Sequence, residues 1–149
     1  MLDSRPLGFN RGRWLTIDPG NHTAVVEWYN GAMLDKWYYP KALACFPLIP
    51  ASVEHNIIIE SVELWGGSSV SYASAASGDL FRLAFQIGAF IRHFKQLECS
   101  IFLVSPRTWK GQLNYKQLRF IFKKKYCMDF KNDHEASAFG IGFWAKGLF

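Results

Sequence analysis

The first part of the chain alternates short apolar segments with polar turns. The segments cover residues 14–17, 22–28 and 32–39, and they are rich in β-branched and aromatic residues. Asn30-Gly31 separates the second segment from the third, and this dipeptide is a preferred two-residue hairpin turn. The pattern therefore predicts three strands in an antiparallel meander.

A run of three isoleucines, Ile57 to Ile59, predicts a fourth strand over residues 56–60. A strand whose consecutive residues are all apolar is buried on both faces, as in the middle of an α/β sheet. Residues 40–54 contain three prolines and are predicted to connect the strands, while 61–77 form a Gly/Ser-rich loop. A fifth strand is predicted over residues 101–104.

Helical spacing dominates residues 79–97, which predict the clearest helix of the chain. Its apolar residues fall on one stripe: Leu80, Leu83, Ala84, Ile87, Phe90, Ile91 and Phe94. Either the core or a dimer interface would bury such a stripe, and the sequence does not separate the two.

Two further helices are predicted near the end of the chain. The first covers residues 115–125, and the second covers residues 134–145 with Asp133 as its N-cap. Gly140 and Gly142 lie inside the last helix despite the low helix propensity of glycine. We expect them to permit close packing against the sheet.

Composition and charge narrow the class of protein. The chain has 149 residues and is expected to form one domain over residues 1–149, with 1–13 as a loose lead-in. Its net charge of +5, from 17 Lys+Arg against 12 Asp+Glu, favours a polyanionic partner. Three scattered cysteines suit a reducing compartment. No apolar run approaches the ~18 residues of a membrane span, so we expect a soluble, cytoplasmic protein without membrane association.

Acidic residues stand at the ends of several predicted elements. Asp18 closes the first strand before a Pro-Gly turn, Glu60 ends the isoleucine strand, and Asp133 and Glu135 open the last helix. If the first and fourth strands are neighbours, Asp18 and Glu60 converge at one edge of the sheet. Clustered carboxylates repel unless a cation neutralises them, so the cluster predicts a divalent metal. The alternative is a turn aspartate, a surface glutamate and a helix cap, each with a local role.

Residues 105–126 form a basic tract without any acidic residue. Aromatic residues interleave with its basic side chains, which favours nucleic-acid binding, while a solvated helix face is the alternative. The basic residues are Arg107, Lys110, Lys116, Arg119, Lys123, Lys124 and Lys125. Trp65, in the glycine-rich loop, would either stack on an unpaired base at a branch point or pack as a core residue.

Four short motifs follow one another between about residues 14 and 145. They are Leu15-Thr16-Ile17-Asp18-Pro19-Gly20, then Ile57-Ile58-Ile59-Glu60-Ser61-Val62-Glu63, then Trp109-Lys110-Gly111-Gln112, then His134-Glu135-Ala136-Ser137-Ala138-Phe139-Gly140-Ile141-Gly142. Their order and context resemble the RuvC-type Holliday junction resolvases, in particular the bacteriophage relatives, within the RNase H-like superfamily. The resemblance implies an RNase H-like α/β fold with a mixed five-stranded sheet flanked by helices.

The resemblance also implies a set of catalytic residues. Asp18 and Glu60 match the strand-end carboxylates of the family, and Lys110 matches a basic residue near the scissile phosphate. On the last helix, His134 matches an accepted ligand position, whereas Ser137 stands where the family has an aspartate. A neutral hydroxyl is a poorer Mg²⁺ ligand than a carboxylate.

Two residues of the same helical turn are candidates to supply the missing charge. Asp133 is four residues from Ser137 and shares its face, so we expect Asp133 to be the substitute. Glu135 points about 100° away from His134 on a helix, and we expect it to be a ligand only if the helix begins later. A weakened enzyme, by nature or by an engineered change, is the other explanation of Ser137.

The implied activity is a Mg²⁺-dependent endonuclease that resolves four-way DNA junctions by paired symmetric nicks, leaving 5′-phosphates. It implies two Mg²⁺ ions per site, replaceable by Mn²⁺, and a homodimer in the cytoplasm, which is that of the host cell if the protein is phage-encoded. The expected DNA contacts are Trp65, Arg107, Lys110, Gln112, Lys116, Lys123 and Lys124. The alternatives are an RNase H-like nuclease for flaps, forks or hybrids, and a junction-binding protein of weakened activity.

Overall fold

The computed structural model describes residues 5–40, 48–62 and 78–149. In this part of the chain five strands form one sheet in the order β3-β2-β1-β4-β5. The strands are β1 (Arg13–Asp18), β2 (Thr23–Tyr29), β3 (Ala32–Tyr39), β4 (His55–Glu60) and β5 (Ser100–Val104). The meander β1-β2-β3 is antiparallel, whereas β4 and β5 run parallel to β1. The predicted mixed five-stranded sheet is confirmed.

Four helices accompany the sheet in the same part of the chain. They are α1 (Asp79–Gln96), α2 (Pro106–Lys110), α3 (Tyr115–Tyr126) and α4 (Asp133–Ala145). The short helix α2 was not predicted, and it begins at a proline after Ser105, whose hydroxyl accepts from the Thr108 amide at 3.2 Å.

The N-cap predicted for the last helix is wrong by one residue. The side chain of Asn132 accepts from the Glu135 amide at 2.9 Å, so Asn132 is the N-cap. Asp133 is therefore the first residue of α4, where its charge favours the positive end of the helix dipole.

Helices cover both faces of the sheet. Side chains alternate between the faces along β1, so that Leu15 and Ile17 pack with Phe90 and Phe94 of α1. The opposite face packs against α4 through Trp14, Val26, Trp28, Ile58 and Phe139. The isoleucines of β4 are 0% exposed, as predicted for a central strand.

Helix α4 belongs to the core along almost its whole length, since every residue from Glu135 to Ala145 is buried. A Cβ atom on Gly142 would lie 2.1 Å from Cζ2 of Trp28 in β2, so close packing on the sheet requires glycine there. A Cβ atom on Gly140 would lie 2.2 Å from Cζ3 of Trp109. The expected close approach is thus to the sheet at Gly142 and to helix α2 at Gly140.

The segment before β1 packs more closely than the loose lead-in that we expected. Phe9 is 2% exposed, and its ring centre lies 5.2 Å from that of Trp14 and 5.6 Å from that of Trp28. Burial of this large ring fixes the described residues of the segment to the α4 face of the sheet.

Helix α1 buries part of its predicted apolar stripe and exposes two phenylalanines that lie outside that stripe. Ile87, Phe90 and Phe94 are buried against the sheet. Phe81 and Phe85, one turn apart, are 69% and 72% exposed. None of the helices in the described ranges combines the length and the apolar character that a bilayer crossing requires.

Candidate active site

Two carboxylates lie side by side at the carboxyl ends of β1 and β4. The two strands are parallel neighbours, with Ile17 opposite Ile59, so Asp18 and Glu60 are the next residues along each strand. Both face α4, because side chains alternate along a strand and Ile58, two residues before Glu60, packs in the core on that face. The predicted convergence of Asp18 and Glu60 is confirmed.

Glu60 is held by Trp109, one of the aromatic residues that interleave with the basic side chains of residues 105–126. The Trp109 indole Nε1 donates to Glu60 Oε2 at 3.0 Å, and its ring is 2% exposed. Burial, followed by the charge of Asp18, raises the pKa of Glu60 to about 8, while Lys110 and Trp109 act in the opposite direction. Trp109 therefore positions a carboxylate, and its burial corrects the view of it as an interleaved surface residue.

Asp18 is 6% exposed and is joined to α4 through His134. The distance between His134 Nδ1 and Asp18 Oδ2 is 3.0 Å. Burial raises the pKa of Asp18, and the hydrogen bond with His134 opposes that shift. The same hydrogen bond raises the pKa of His134, against the effect of its own burial. The hydrogen bond thus joins the first turn of α4 to the end of β1 at the edge of the sheet.

Hydrogen bonds on both faces of the sheet fix the end of β1. The Thr16 hydroxyl donates to the Ala138 carbonyl at 2.7 Å and accepts from Trp28 Nε1 at 2.8 Å. On the other face, Gln86 of α1 donates to the Gly20 carbonyl at 2.9 Å. These contacts set the height of α4 over β1 and fix the turn that follows Asp18.

Ser137 lies beside Asp18, at the position where the resemblance implied an acid. It is 0% exposed, and its hydroxyl oxygen makes no hydrogen bond of normal geometry within the part of the chain that the structure describes. Its proximity still helps to lower the pKa of Asp18. His134 and Ser137 are three residues apart, so they present one face of α4 to the carboxylates.

The two other acids of the first turn of α4 point elsewhere. Asp133 Oδ1 lies 3.7 Å from Arg119 Nη1, and its side chain is half-exposed. Glu135 is buried, accepts from the Lys131 amide at 2.9 Å and pairs with Lys36 of β3. The structure does not bring Glu135 to Asp18, because Lys36 and the Lys131 amide hold its carboxylate on the β3 side of the helix.

Lys110 is a basic residue whose charge acts on both carboxylates. Its charge lowers the pKa of both Asp18 and Glu60. Its ammonium group also lies 4.3 Å from the ring centre of Tyr115, which fixes the long side chain at the rim.

The other predicted DNA contacts lie further along the surface. Arg107, Gln112, Lys116, Lys123 and Lys124 are all exposed. Lys123 Nζ lies 3.6 Å from Asp129 Oδ2, a surface pair that carries little free energy. Trp65 lies outside the described residues.

The structure adds two residues to which sequence reasoning assigned no role. The Tyr38 hydroxyl lies 2.8 Å from His22 Nδ1, and the His22 ring centre lies 5.8 Å from that of His134. The strand register would have indicated that Tyr38 lies near Asp18, since both residues pair with Ala24.

The donor set fits a divalent cation in its chemistry. In the described ranges, no group of three or more His, Cys, Asp and Glu side chains is arranged to hold a metal ion. Asp18 and Glu60, however, supply adjacent oxygens, and burial raises the pKa of both carboxyl groups. The buried Ser137 oxygen, which makes no hydrogen bond of normal geometry with the described residues, adds a third hard donor.

Comparisons with known proteins bear on the fold. No family model matches the chain, and no curated protein sequence matches it. Among solved structures it is similar to T. thermophilus RuvC in complex with Holliday junction substrate, at 12% identity and a TM-score of 0.60. The match covers 91% of this chain and 93% of that chain. The likeness establishes a RuvC-type, RNase H-like α/β fold.

Proposed function

We propose that this protein is a divalent-metal-dependent endonuclease that cuts branched DNA, with four-way junctions as its substrate. The observation that carries the proposal is the pair of carboxylates, Asp18 and Glu60, on adjacent parallel strands under a helix that presents His134 and Ser137. The structural neighbour, described as RuvC in complex with Holliday junction substrate, supports the choice of substrate.

Asp18 and Glu60 would hold the cation, with the Ser137 oxygen as an additional donor. A divalent cation at such a site polarises a phosphodiester and lowers the pKa of the attacking water. Trp109 aims one oxygen of Glu60, and His134 aims one oxygen of Asp18. Both carboxylates are thereby held in one orientation before substrate arrives.

The reaction is hydrolysis of one phosphodiester bond per site. The oxygen of a water molecule attacks phosphorus and the bond between phosphorus and the 3′-oxygen breaks, which leaves a 5′-phosphate. The attacking water gives up one proton to solvent, and the departing 3′-oxygen takes one proton from solvent, so that the step balances. Lys110, whose charge already reaches both carboxylates, offsets negative charge that builds up on the phosphate.

DNA would lie across the carboxyl edge of the sheet and over α3. The exposed Lys116, Lys123 and Lys124 would contact phosphates, together with Arg107 and Gln112 near α2. Such contacts supply affinity without reading sequence, so selectivity would come from the shape of the junction.

Symmetric cleavage of a four-way junction requires two sites related by a two-fold axis, hence a homodimer. The exposed Phe81 and Phe85 of α1 would lie in that interface, since they are large apolar side chains that the core leaves uncovered. Two ions per site would need a further carboxylate beyond Asp18 and Glu60.

Cleavage of a synthetic four-way junction tests the proposal against a linear duplex of the same sequence. We expect paired nicks with Mg²⁺ or Mn²⁺, no product in EDTA, and no product from Asp18→Asn or Glu60→Gln, while junction binding persists. Tyr29→Phe, at the opposite edge of the sheet, is the control and should cleave normally. Cleavage at the wild-type rate by either carboxylate variant would refute the site.

A junction-binding protein without nuclease activity is the second candidate function. The observation that favours it is the serine at the position of an expected acid. It predicts tight, metal-independent binding of the junction and no product with either cation.

A further inference from the structure

We propose that His22 contacts a DNA phosphate beside the one that is cleaved, and that Tyr38 is the residue that positions His22. This inference rests on the proposed function and extends it to the β3 side of the site. Neither residue belongs to the carboxylate cluster, and neither lies in the basic tract.

The strand register places these residues in one row across the edge of the sheet. Tyr38 pairs with Ala24, Ala24 pairs with Asp18, and Glu60 pairs with Val104. Tyr38 also faces α4, because Lys36, two residues earlier on β3, contacts Glu135 of that helix. The row therefore runs from Tyr38 through the carboxylates, and Lys110 follows β5 on the far side.

His22 bridges the gap between Tyr38 and the cluster. Its ring is parallel to that of Tyr38, at 1° between planes, and its centre lies 5.8 Å from that of His134. The Tyr38 hydroxyl occupies His22 Nδ1, whereas Nε2 has no partner among the residues that the structure describes. In the tautomer in which the Tyr38 hydroxyl donates to Nδ1, the proton of this exposed imidazole lies on Nε2, which is then a directed hydrogen-bond donor.

The charge pattern favours a phosphate as the partner of that nitrogen. DNA placed over Asp18 and Glu60 would need donors on both sides of the carboxylates, and Lys110 serves only one side. On the β3 side, Lys36 is paired with Glu135 and His134 is engaged by Asp18. Among the described imidazoles on that side, His22 has a ring nitrogen free to meet the backbone.

The spacing suits a neighbouring phosphate. Two strand spacings of about 4.8 Å separate β3 from β1, so Tyr38 lies about 10 Å from Asp18. One DNA strand carries a phosphate every 3.4 Å or so of helix axis. His22, between the two strands, is thus within reach of a phosphate one or two nucleotides from the cleaved one.

Nuclear magnetic resonance of histidine side chains tests the contact without any cleavage. With ¹⁵N-labelled histidine at about pH 8 in EDTA, we expect His22 in the Nε2–H form, and its Nε2 signal should shift when four-way junction DNA is added. Tyr38→Phe should convert His22 to a mixture of tautomers. His93, in the last turn of α1, is the internal control and should not respond.

Binding measurements complete the test. His22→Ala should weaken junction binding in EDTA by about five- to tenfold, and Tyr38→Phe by about two- to threefold, with Tyr29→Phe as the matched control. A merely structural Tyr–His pair at the edge of β3 would leave both the affinity and the Nε2 signal of folded protein unchanged, which would overturn the inference. The wild-type titration decides the matter even if a variant fails to fold.

The two proposals fail separately. Normal cleavage with a silent His22 signal would refute the role of His22 and leave the nuclease assignment intact. A shifted His22 signal in a protein that cleaves no branched DNA with any divalent cation would refute the nuclease assignment and leave His22 as a DNA contact.

Discussion

Ser137 gives the sharpest test of the site, because its two substitutions have opposite expected effects. Its hydroxyl oxygen is 0% exposed and lacks a hydrogen bond of normal geometry in the described part of the chain. An unsatisfied buried polar group costs about 1–3 kcal/mol. Ser137→Ala removes that group and leaves little empty volume, so we expect metal-free protein to gain about 1 kcal/mol of stability.

For a chain of this size, 1 kcal/mol corresponds to a rise in Tm of about 2–4 °C. Ser137→Asp should do the opposite in EDTA, because a third carboxyl group joins a pair in which Glu60 already has its pKa raised to about 8. The destabilisation of Ser137→Asp should grow with pH. A carboxyl group whose pKa is raised in the folded state makes the folded protein less stable as that group ionises.

Thermal unfolding between pH 6 and 9, in EDTA and in Mn²⁺, is the assay. Mn²⁺ should raise the Tm of Ser137→Asp more than that of the wild type, and junction cleavage should increase in parallel. A loss of more than about 1 kcal/mol in Ser137→Ala would show that the hydroxyl makes a strong bond to Asp18. A Ser137→Asp variant that Mn²⁺ does not stabilise would place the cation elsewhere.

Three other predictions concern packing, titration and the basic surface. Gly140→Ala should lower the free energy of unfolding by about 1–3 kcal/mol, because its Cβ would lie 2.2 Å from Trp109. Gly88→Ala, whose Cβ would have nothing within 4 Å, is the control and should be neutral or stabilising; urea unfolding compares the two variants. In EDTA the wild type should lose stability as pH rises from about 4.5 to about 8. The raised pKa of Glu60 alone accounts for up to about 5 kcal/mol of that loss, so Glu60→Gln should flatten it; an unchanged slope would contradict the raised pKa. Neutralising residues 123–125 should reduce the slope of log K against log salt by up to about 3, and an unchanged slope would make that run a solvated face.

The sequence was sufficient where local pattern and strand order determine the outcome. The isoleucines of β4 predicted a central strand, and a central strand beside β1 brings Glu60 to Asp18. Contacts between residues that are far apart along the chain could not be predicted from the sequence. Nothing in the local sequence shows that Trp109 is buried under Gly140 and donates to Glu60. Gly140 is 31 residues and Glu60 is 49 residues away from Trp109 along the chain.

The first turn of α4 shows a different limit. Asn132 and Asp133 are both good N-caps, and a shift of one residue turns each side chain by about 100°. That shift decides which side chains of the first turn face Asp18. The sequence predicted Asp133 as the replacement ligand, whereas the structure pairs Asp133 with Arg119. His22 escaped notice because its partner Tyr38 is 16 residues away on another strand.

The complete burial of α4 from Glu135 to Ala145 divides the molecule into a rigid base and an adjustable rim. A helix enclosed by tryptophan rings against two of its glycines has no room to slide, so the base of the site keeps one geometry for every substrate. Adaptation to a different branched DNA must then come from the exposed rim, at β3 and along α2 and α3. Substrate preference should therefore be open to engineering by surface substitutions that leave the fold and the chemistry untouched.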